Sequence, residues 1–279
     1  ALPISLKPSF MVDSSFLFLK SNSKPLRART RVRFHYGTSE IMGNLVLLDR
    51  DELTPGDSAV VQIRLEMPVC CMFGDNFVIR SYSPVRTIGG GQILNPFPKK
   101  HKIFNKPLID GMSTLLDGSA EDNITFFVLQ NGYKGLSYGE LRLMVPMNDK
   151  KLDGILQKLL ASKKIIQSDK ERRIFIHGTV VDTLSSDVLK IIENFHIDNP
   201  LKEGMNREEL KSKIRAFKSK DTRLFTLVIS KLIKDGSIVQ DNNIVRLTNH
   251  KVSLKVDLQN VKTKIASIYS SSGLTPPFF

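Results

Sequence analysis

From Ser9 to about Asn95 apolar and polar positions alternate in short runs, FLFLK, RVRFHYG, NLVLLD, SAVVQIRLE and NFVIRSY, each closed by Gly, Pro, Asn or Asp. Alternation with a period of two turns one face of a strand to a core and the other to water. Many such runs separated by turn residues predict an all-β domain, and their brevity suits a small barrel. Pro55-Gly56-Asp57 and Gly74-Asp75 supply turn chemistry ahead of two of the strands. Beyond Pro96 the period lengthens to that of helices.

The helical half carries an internal repeat. GLSYGELRLMVPMNDKKLDGILQKLLASKKIIQSDKERRIFI and GMNREELKSKIRAFKSKDTRLFTLVISKLIKDGSIVQDNNIVRL both run glycine, capping residue, Glu-Leu, short helix, polar break, longer helix and hairpin. Ser137 before Glu140 and Asn206 before Glu209 have the three-residue spacing of a capping box. Leu152, Ile155, Leu156, Leu159 and Leu160 make one apolar face; Leu224, Leu227, Val228, Ser230, Leu232 and Ile233 make the second. Hairpins are expected to turn at Asp169 to Glu171 and at Asp241 to Asn243, and AEDNITFFVLQNG and SSDVLKIIENFHIDNP supply a preceding helix to each copy. Helix, helix, helix, hairpin is the order of a winged helix, so two stand in tandem. The reading divides the chain into a barrel over 1–97, a linker over 98–117, and winged helices over 118–178 and 179–250. The linker is expected because NPFPKKHKIFNKP, with three prolines and a basic run, continues neither strand nor helix.

Composition adds the partner class. A chain of 279 residues, 41% hydrophobic, is long enough for two or three domains. No apolar run is long enough for a membrane helix and the start lacks a signal-peptide layout, so a cytoplasmic, membrane-free protein is expected. Lys plus Arg number 41 against 28 Asp plus Glu, a net +13, which favours a polyanionic partner and leaves RNA, DNA, an anionic membrane and a ribosomal surface open. Arg27, Arg29, Arg31 and Arg33 occupy alternate positions, which on one strand makes a row of cations; a charged edge that discourages aggregation would look the same. The longer helices are poorer readers of a groove. One would expose Asp149, Lys150, Lys151 and Asp153, and the other Lys218, Lys220, Arg223 and Lys231 beside Asp221. They read as spacers or protein-contact units.

Catalytic chemistry finds little support. Cys70 and Cys71 are sequence neighbours and poor disulfide partners. His35, His101, His177, His196 and His250 lie far apart without metal-ligand spacing, and no Ser-His-Asp set declares itself, so neither a catalytic residue nor a metal is expected. RSYSPVRTIGGGQILNP sets three glycines behind arginines, yet has neither phosphate-loop nor dinucleotide-fold spacing. Its glycines are expected to allow positive φ and the close approach of another backbone, an RNA backbone being one such visitor.

LTPGDSAVVQIRLEMPVCCMFGDNFVIRSYSPVRTIGGGQILNP resembles the third domain of the elongation factor Tu class of translation GTPases, in its Pro-Gly-Asp turn, its Gly-x-Asn-Phe strand and its Arg-Thr-hydrophobic-Gly-x-Gly ending. With Tyr82-Ser83-Pro84, the tandem winged helices, ENFHIDNPLKEGMNREELKSKI and LTNHKVSLKVDLQNVKTKIASIYSSSGLTPP, the chain is similar throughout to the SelB family of selenocysteine-specific elongation factors. The resemblance implies an elongation-factor-Tu domain-III-like β-barrel followed by tandem winged-helix (helix-turn-helix) domains, with 251–279 opening a third, truncated one. It implies a fragment that is not itself an enzyme, with GTP and Mg in a missing amino-terminal GTPase domain and no cofactor here. Its partners would be selenocysteinyl-tRNA at the barrel, a selenoprotein mRNA hairpin reached by the arm during UGA recoding, mainly through missing modules, and the ribosome; the chain would be a monomer. Arg86, Thr87, Gly89 and Gly90 stand where related factors approach tRNA backbone, and His35 lies on a strand that does the same. Arg31 and Arg80 join this RNA-binding set on their charge. The alternative is a winged-helix DNA-binding transcription regulator with a β-barrel dimerisation or ligand domain.

Overall fold

The computed structural model describes residues 7–115, 117–145, 147–217, 222–250 and 254–271, the side chains of 254–260 excepted. Six strands close a barrel in the order β1 (Ser9–Phe18), β6 (Ser58–Val69), β4 (Ser39–Leu47), β3 (Arg29–Tyr36), β7 (Asn76–Ser81) and β8 (Thr87–Asn95). The short strands β2 (Leu26–Arg27) and β5 (Glu52–Leu53) pair beside it. Alternation explains the core: Val12, Phe16 and Phe18, Val32 and Phe34, Leu45 and Leu47, and Val61 and Ile63 are all buried in one cluster.

Two expectations change at this level. Arg27 is on β2 and pairs with Glu52, so the cation row on β3 starts at Arg29. None of the consecutive glycines has a positive φ. They lie in β8, hydrogen-bonded to β1 on one side and β7 on the other. A Cβ on Gly91 would stand 1.9 Å from the Ser15 carbonyl oxygen, one on Gly89 2.4 Å from that of Leu17, and one on Gly90 2.7 Å from that of Phe77. The backbones that come close are the barrel's own.

The segment expected as a linker is packed. Phe104 N–H donates to the Leu48 carbonyl at 2.7 Å, and helix α1 (Lys106–Ser113) buries Leu108 and Met112. These two share one core with Val46, Leu48, Val60 and Leu94 from the barrel's outer surface and with Ile124, Phe127, Leu141 and Leu156 beyond. Pro107 in the first turn of α1 needs no hydrogen-bonded N–H there, which is why proline and helix coexist. Barrel, strap and first winged helix form one compact unit ending at Gly178.

That winged helix comprises α2 (Ala120–Asn131), β9 (Leu136–Ser137), α3 (Tyr138–Met144), α4 (Asp149–Ala161) and the wing β10 (Ile165–Asp169) and β11 (Ile174–His177). Ser137 and Glu140 make the expected capping box. The second unit begins at Thr179. It is built from α5 (Gly178–Asp198), β12 (Met205–Asn206), α6 (Arg207–Lys213), α7 (Arg223–Lys234) and the wing β13 (Ile238–Asp241) and β14 (Ile244–Leu247), followed by α8 (Leu254–Ser271). Here Asn206 caps through the Glu208 N–H without a box. On α7 Ser230 and Ile233 are exposed, and Phe225 and Ile229 take the inner positions with Leu224, Val228 and Leu232. Lys218, Lys220 and Asp221 lie outside the described residues, as do 251–253 and 272–279 of the segment assigned to a third winged helix.

Candidate nucleic-acid interface

Cross-strand neighbours in a sheet share a face, so pairing register shows which side chains stand together. Gly90 pairs with Leu17 and with Val78, and Val78 pairs with His35. Leu17 and Val78 are exposed large apolar residues, so this row looks outward, with Gly90 a bare stretch of backbone between them. The next outward row runs Thr87, Arg80 and Arg33 across β8, β7 and β3. Gly89 stands between the two rows; it is buried, and a Cβ there would meet the Phe16 ring at 2.5 Å.

The loop joining β7 to β8 is braced at its neck. Ser81 N–H donates to the Arg86 carbonyl at 2.9 Å, Arg86 N–H donates to Ser81 Oγ at 3.2 Å, and Ser81 Oγ donates to the Pro84 carbonyl. The brace holds Arg86 at the edge of the outward face, and the exposed Tyr82 and Val85 form the tip. Arg31 lies over the Tyr82 ring at 4.9 Å and Arg33 at 5.8 Å. Electron-rich rings attract guanidinium groups, so Tyr82 gathers two cations beside the loop.

Carboxylates compensate part of this charge. Arg31 pairs with Glu66 at 3.0 Å; Glu40 pairs with Arg33 and stands 3.5 Å from His35. The hydrogen bond from Arg33 holds the Glu40 carboxyl below its usual range. Among the described residues no carboxylate pairs with Arg80 or Arg86, which are exposed. Two exposed guanidinium groups held in no ion pair among the described residues, Arg80 feeling only the field of Glu40, beside a face flattened by Gly90, suit an incoming phosphate backbone.

Of the expected residues, the fold brings His35, Arg80, Thr87 and Gly90 to one outer face, sets Arg31 at its margin and the exposed Arg86 at the rim, opposite Ser81 at the loop's neck, and turns Gly89 to the interior. The Gly89–Gly91 stretch does not fit a nucleotide phosphate, because it lies within a strand paired on both sides. Leu17, Glu40, Val78 and Tyr82 were absent from the sequence set. Alternation in NFVIRS puts Val78 beside Arg80, and an aromatic next to alternate arginines was the available sign for Tyr82. In the winged helices Arg142 pairs with Asp149 at 2.8 Å, Arg173 with Asp153 at 2.5 Å while lying 3.8 Å from the Tyr138 ring centre, and Lys231 with Asp182. These cations are tied to their own modules.

Comparison with known proteins places the architecture. Residues 14–100 match the family model for the β-barrel domain of selenocysteine-specific elongation factors, and 189–247 match that for a winged helix of elongation factor SelB. The selenocysteine-specific elongation factor of Desulfomicrobium baculatum is 34% identical over 99% of this chain and 43% of its own length. That of Haemophilus influenzae is 20% identical over 89% of the chain and 38% of its length. The crystal structure of the bacterial selenocysteine-specific elongation factor EF-Sec superposes with a TM-score of 0.57 at 18% identity, over 96% of this chain and 39% of that one. The chain therefore spans less than half the length of these relatives.

Proposed function

The chain belongs to the selenocysteine-specific elongation factors, whose barrel and winged-helix domains it carries, and on that premise we propose that its barrel holds a tRNA backbone through the outer face of β3, β7 and β8. The observation that carries the reading is the pair Arg80 and Arg86, both exposed and, among the described residues, in no ion pair, with Arg80 one outward row from the bare backbone of Gly90 and Arg86 at the neck of the adjoining loop. Duplex RNA is recognised mostly through shape, phosphates and 2′-hydroxyls. A flat sheet face with forked guanidinium donors meets that need, and Thr87 adds a hydroxyl that both donates and accepts.

In this reading the tRNA is selenocysteinyl-tRNA, delivered at the ribosome in the cytoplasm, and the winged helices extend toward a selenoprotein mRNA hairpin. Their paired cations favour a spacing or protein-contact role over groove reading. In the same reading GTP and Mg would be bound outside this chain, and its own residues would bind and orient RNA without a catalytic step. Among the described residues no helix is long and apolar enough to cross a membrane.

Filter binding of a tRNA transcript across a salt series tests the proposal. Arg80→Ala and Arg86→Ala should each weaken binding by about 1 kcal/mol or more and lower the salt slope by about one. Wild-type affinity and slope in both variants would overturn it.

A further inference from the structure

A second cationic cluster stands where the barrel meets the strap, and a buried amide organises it. Gln62, on β6, is fully buried and makes hydrogen bonds at both ends of its side chain. Its Nε2 donates to Asp13 Oδ1 at 2.9 Å and to the Lys99 carbonyl at 2.9 Å. Its Oε1 accepts from Arg64 Nε at 3.0 Å and from His101 N–H at 3.5 Å. Both partners of the nitrogen are acceptors and both partners of the oxygen are donors, so the amide has one orientation. His101 Nε2, 2.8 Å from Asp13 Oδ2, closes the network.

The network holds one positive group, Arg64, and two more, Lys100 and Arg29, stand beside it. Arg64 spends Nε on Gln62, and among the described residues its terminal guanidinium nitrogens make no hydrogen bond. Lys100, exposed, sits between two residues that Gln62 holds. Arg29 lies two strands from Gln62, through Val46, and thus diagonal to Arg64. Burial first, and then Arg29, push the half-buried Arg64 guanidinium below its usual range. Among the described residues no carboxylate forms an ion pair with Arg29 or Arg64; Asp13 acts on Arg64 through its field alone, its oxygens being turned to Gln62 and His101. Like charges set close with no protein anion between them form a receptor for an anion from outside.

We propose that Arg29, Arg64 and Lys100, arranged around Gln62, bind phosphates of a polynucleotide backbone at the junction of barrel and strap. Phosphate suits two forked guanidinium donors. Arg29 also shares the outer side of β3 with Arg31, Arg33 and His35, so the site continues the face proposed above for tRNA. The inference rests on that reading and extends its footprint toward the first winged helix.

The full chain is titrated with a tRNA transcript over a salt series, and separately with poly-glutamate as a stand-in for an acidic protein surface. Arg29→Gln combined with Arg64→Gln should weaken tRNA binding roughly tenfold at low salt and flatten the salt slope by about two; Lys100→Gln should flatten it by about one. Circular dichroism reports whether the double variant folds, and if it does not, Lys100→Gln alone decides. Unchanged tRNA binding overturns the proposal, as does a loss confined to poly-glutamate. If Arg86→Ala weakens tRNA while these variants do not, the site falls and the barrel reading stands; if none of them matters, both fall.

Discussion

At the scale of single residues, Gly91 shows how little room a closed barrel leaves. Its missing Cβ would fall 1.9 Å from a carbonyl oxygen of β1, backbone against backbone, with no flexible side chain to yield. Closure on both sides of β8 prevents the strands from parting locally. Gly91→Ala should cost about 1–3 kcal/mol in urea denaturation followed through the barrel. Gly139 has nothing within 4 Å of its Cβ position, so Gly139→Ala on α3 is the control and should be neutral or stabilising by a few tenths, about 0.4 kcal/mol. The sequence disclosed that bulk must be absent across TIGGGQ. It did not disclose whose backbone comes close, because strand pairing between residues as distant as Ser15 and Gly91 has no local signature. For the same reason the arginine row was visible and its counter-charges were not: Glu66 on β6 reaches Arg31 on β3 across the intervening β4, 3.0 Å away across a separation of thirty-five residues.

At the scale of an element, α5 carries a titratable contact in the second unit. His196 is buried, stacks on His250 with ring centres 3.6 Å apart, and accepts from Leu247 N–H through Nε2 at 3.3 Å. Burial, then the charges of His250 and Arg246, hold its imidazole below the usual 6.5. The unfolded chain thus takes up the proton at higher pH than the folded one, so this contribution to stability is present above about pH 6.5 and is lost as pH falls through the depressed folded value. The melting transition of the second unit should fall from about pH 7.5 to about pH 5.5, and His196→Gln should flatten that dependence; an equal slope in the variant would remove the histidine from the account. Elements of this length are what periodicity reveals. Val181, Leu184, Val188, Ile192 and Phe195 repeat at three and four along α5, and the apolar face of α4 was legible in the same way. By contrast α1 has eight residues with two buried apolar side chains, too few to show a period, and the prolines and lysines of the segment leading into it look like a linker. Burial against the apolar outer face of the barrel, at Val46, Leu48, Val60 and Leu94, and against Ile124 and Phe127 of α2 makes that short helix stable.

At the scale of the molecule, that outer face decides how many bodies the first 178 residues form. Val46, Leu48, Val60 and Leu94 would be solvent-facing in a barrel standing alone; here they belong to the same core as α1, α2 and α4. Phe73, in a barrel turn, meets Phe127 of α2 edge to face at 6.2 Å, and Lys99 reaches the Gln130 carbonyl at 3.4 Å. A shared core couples stability, because opening either part exposes apolar surface of the other. Met112→Ala, on α1 and outside the barrel interior, should therefore cost about 2–5 kcal/mol and raise exchange rates at slowly exchanging amides of both parts, such as Leu45 in β4 and Leu156 in α4. Native-state hydrogen exchange reads both sites in one experiment. Acceleration confined to α4 would mean that the barrel is stable without its covering and that the strap is a tether. Parallel acceleration would make barrel and first winged helix a single cooperative body, in which a ligand seated on β3, β7 and β8 also stabilises α4.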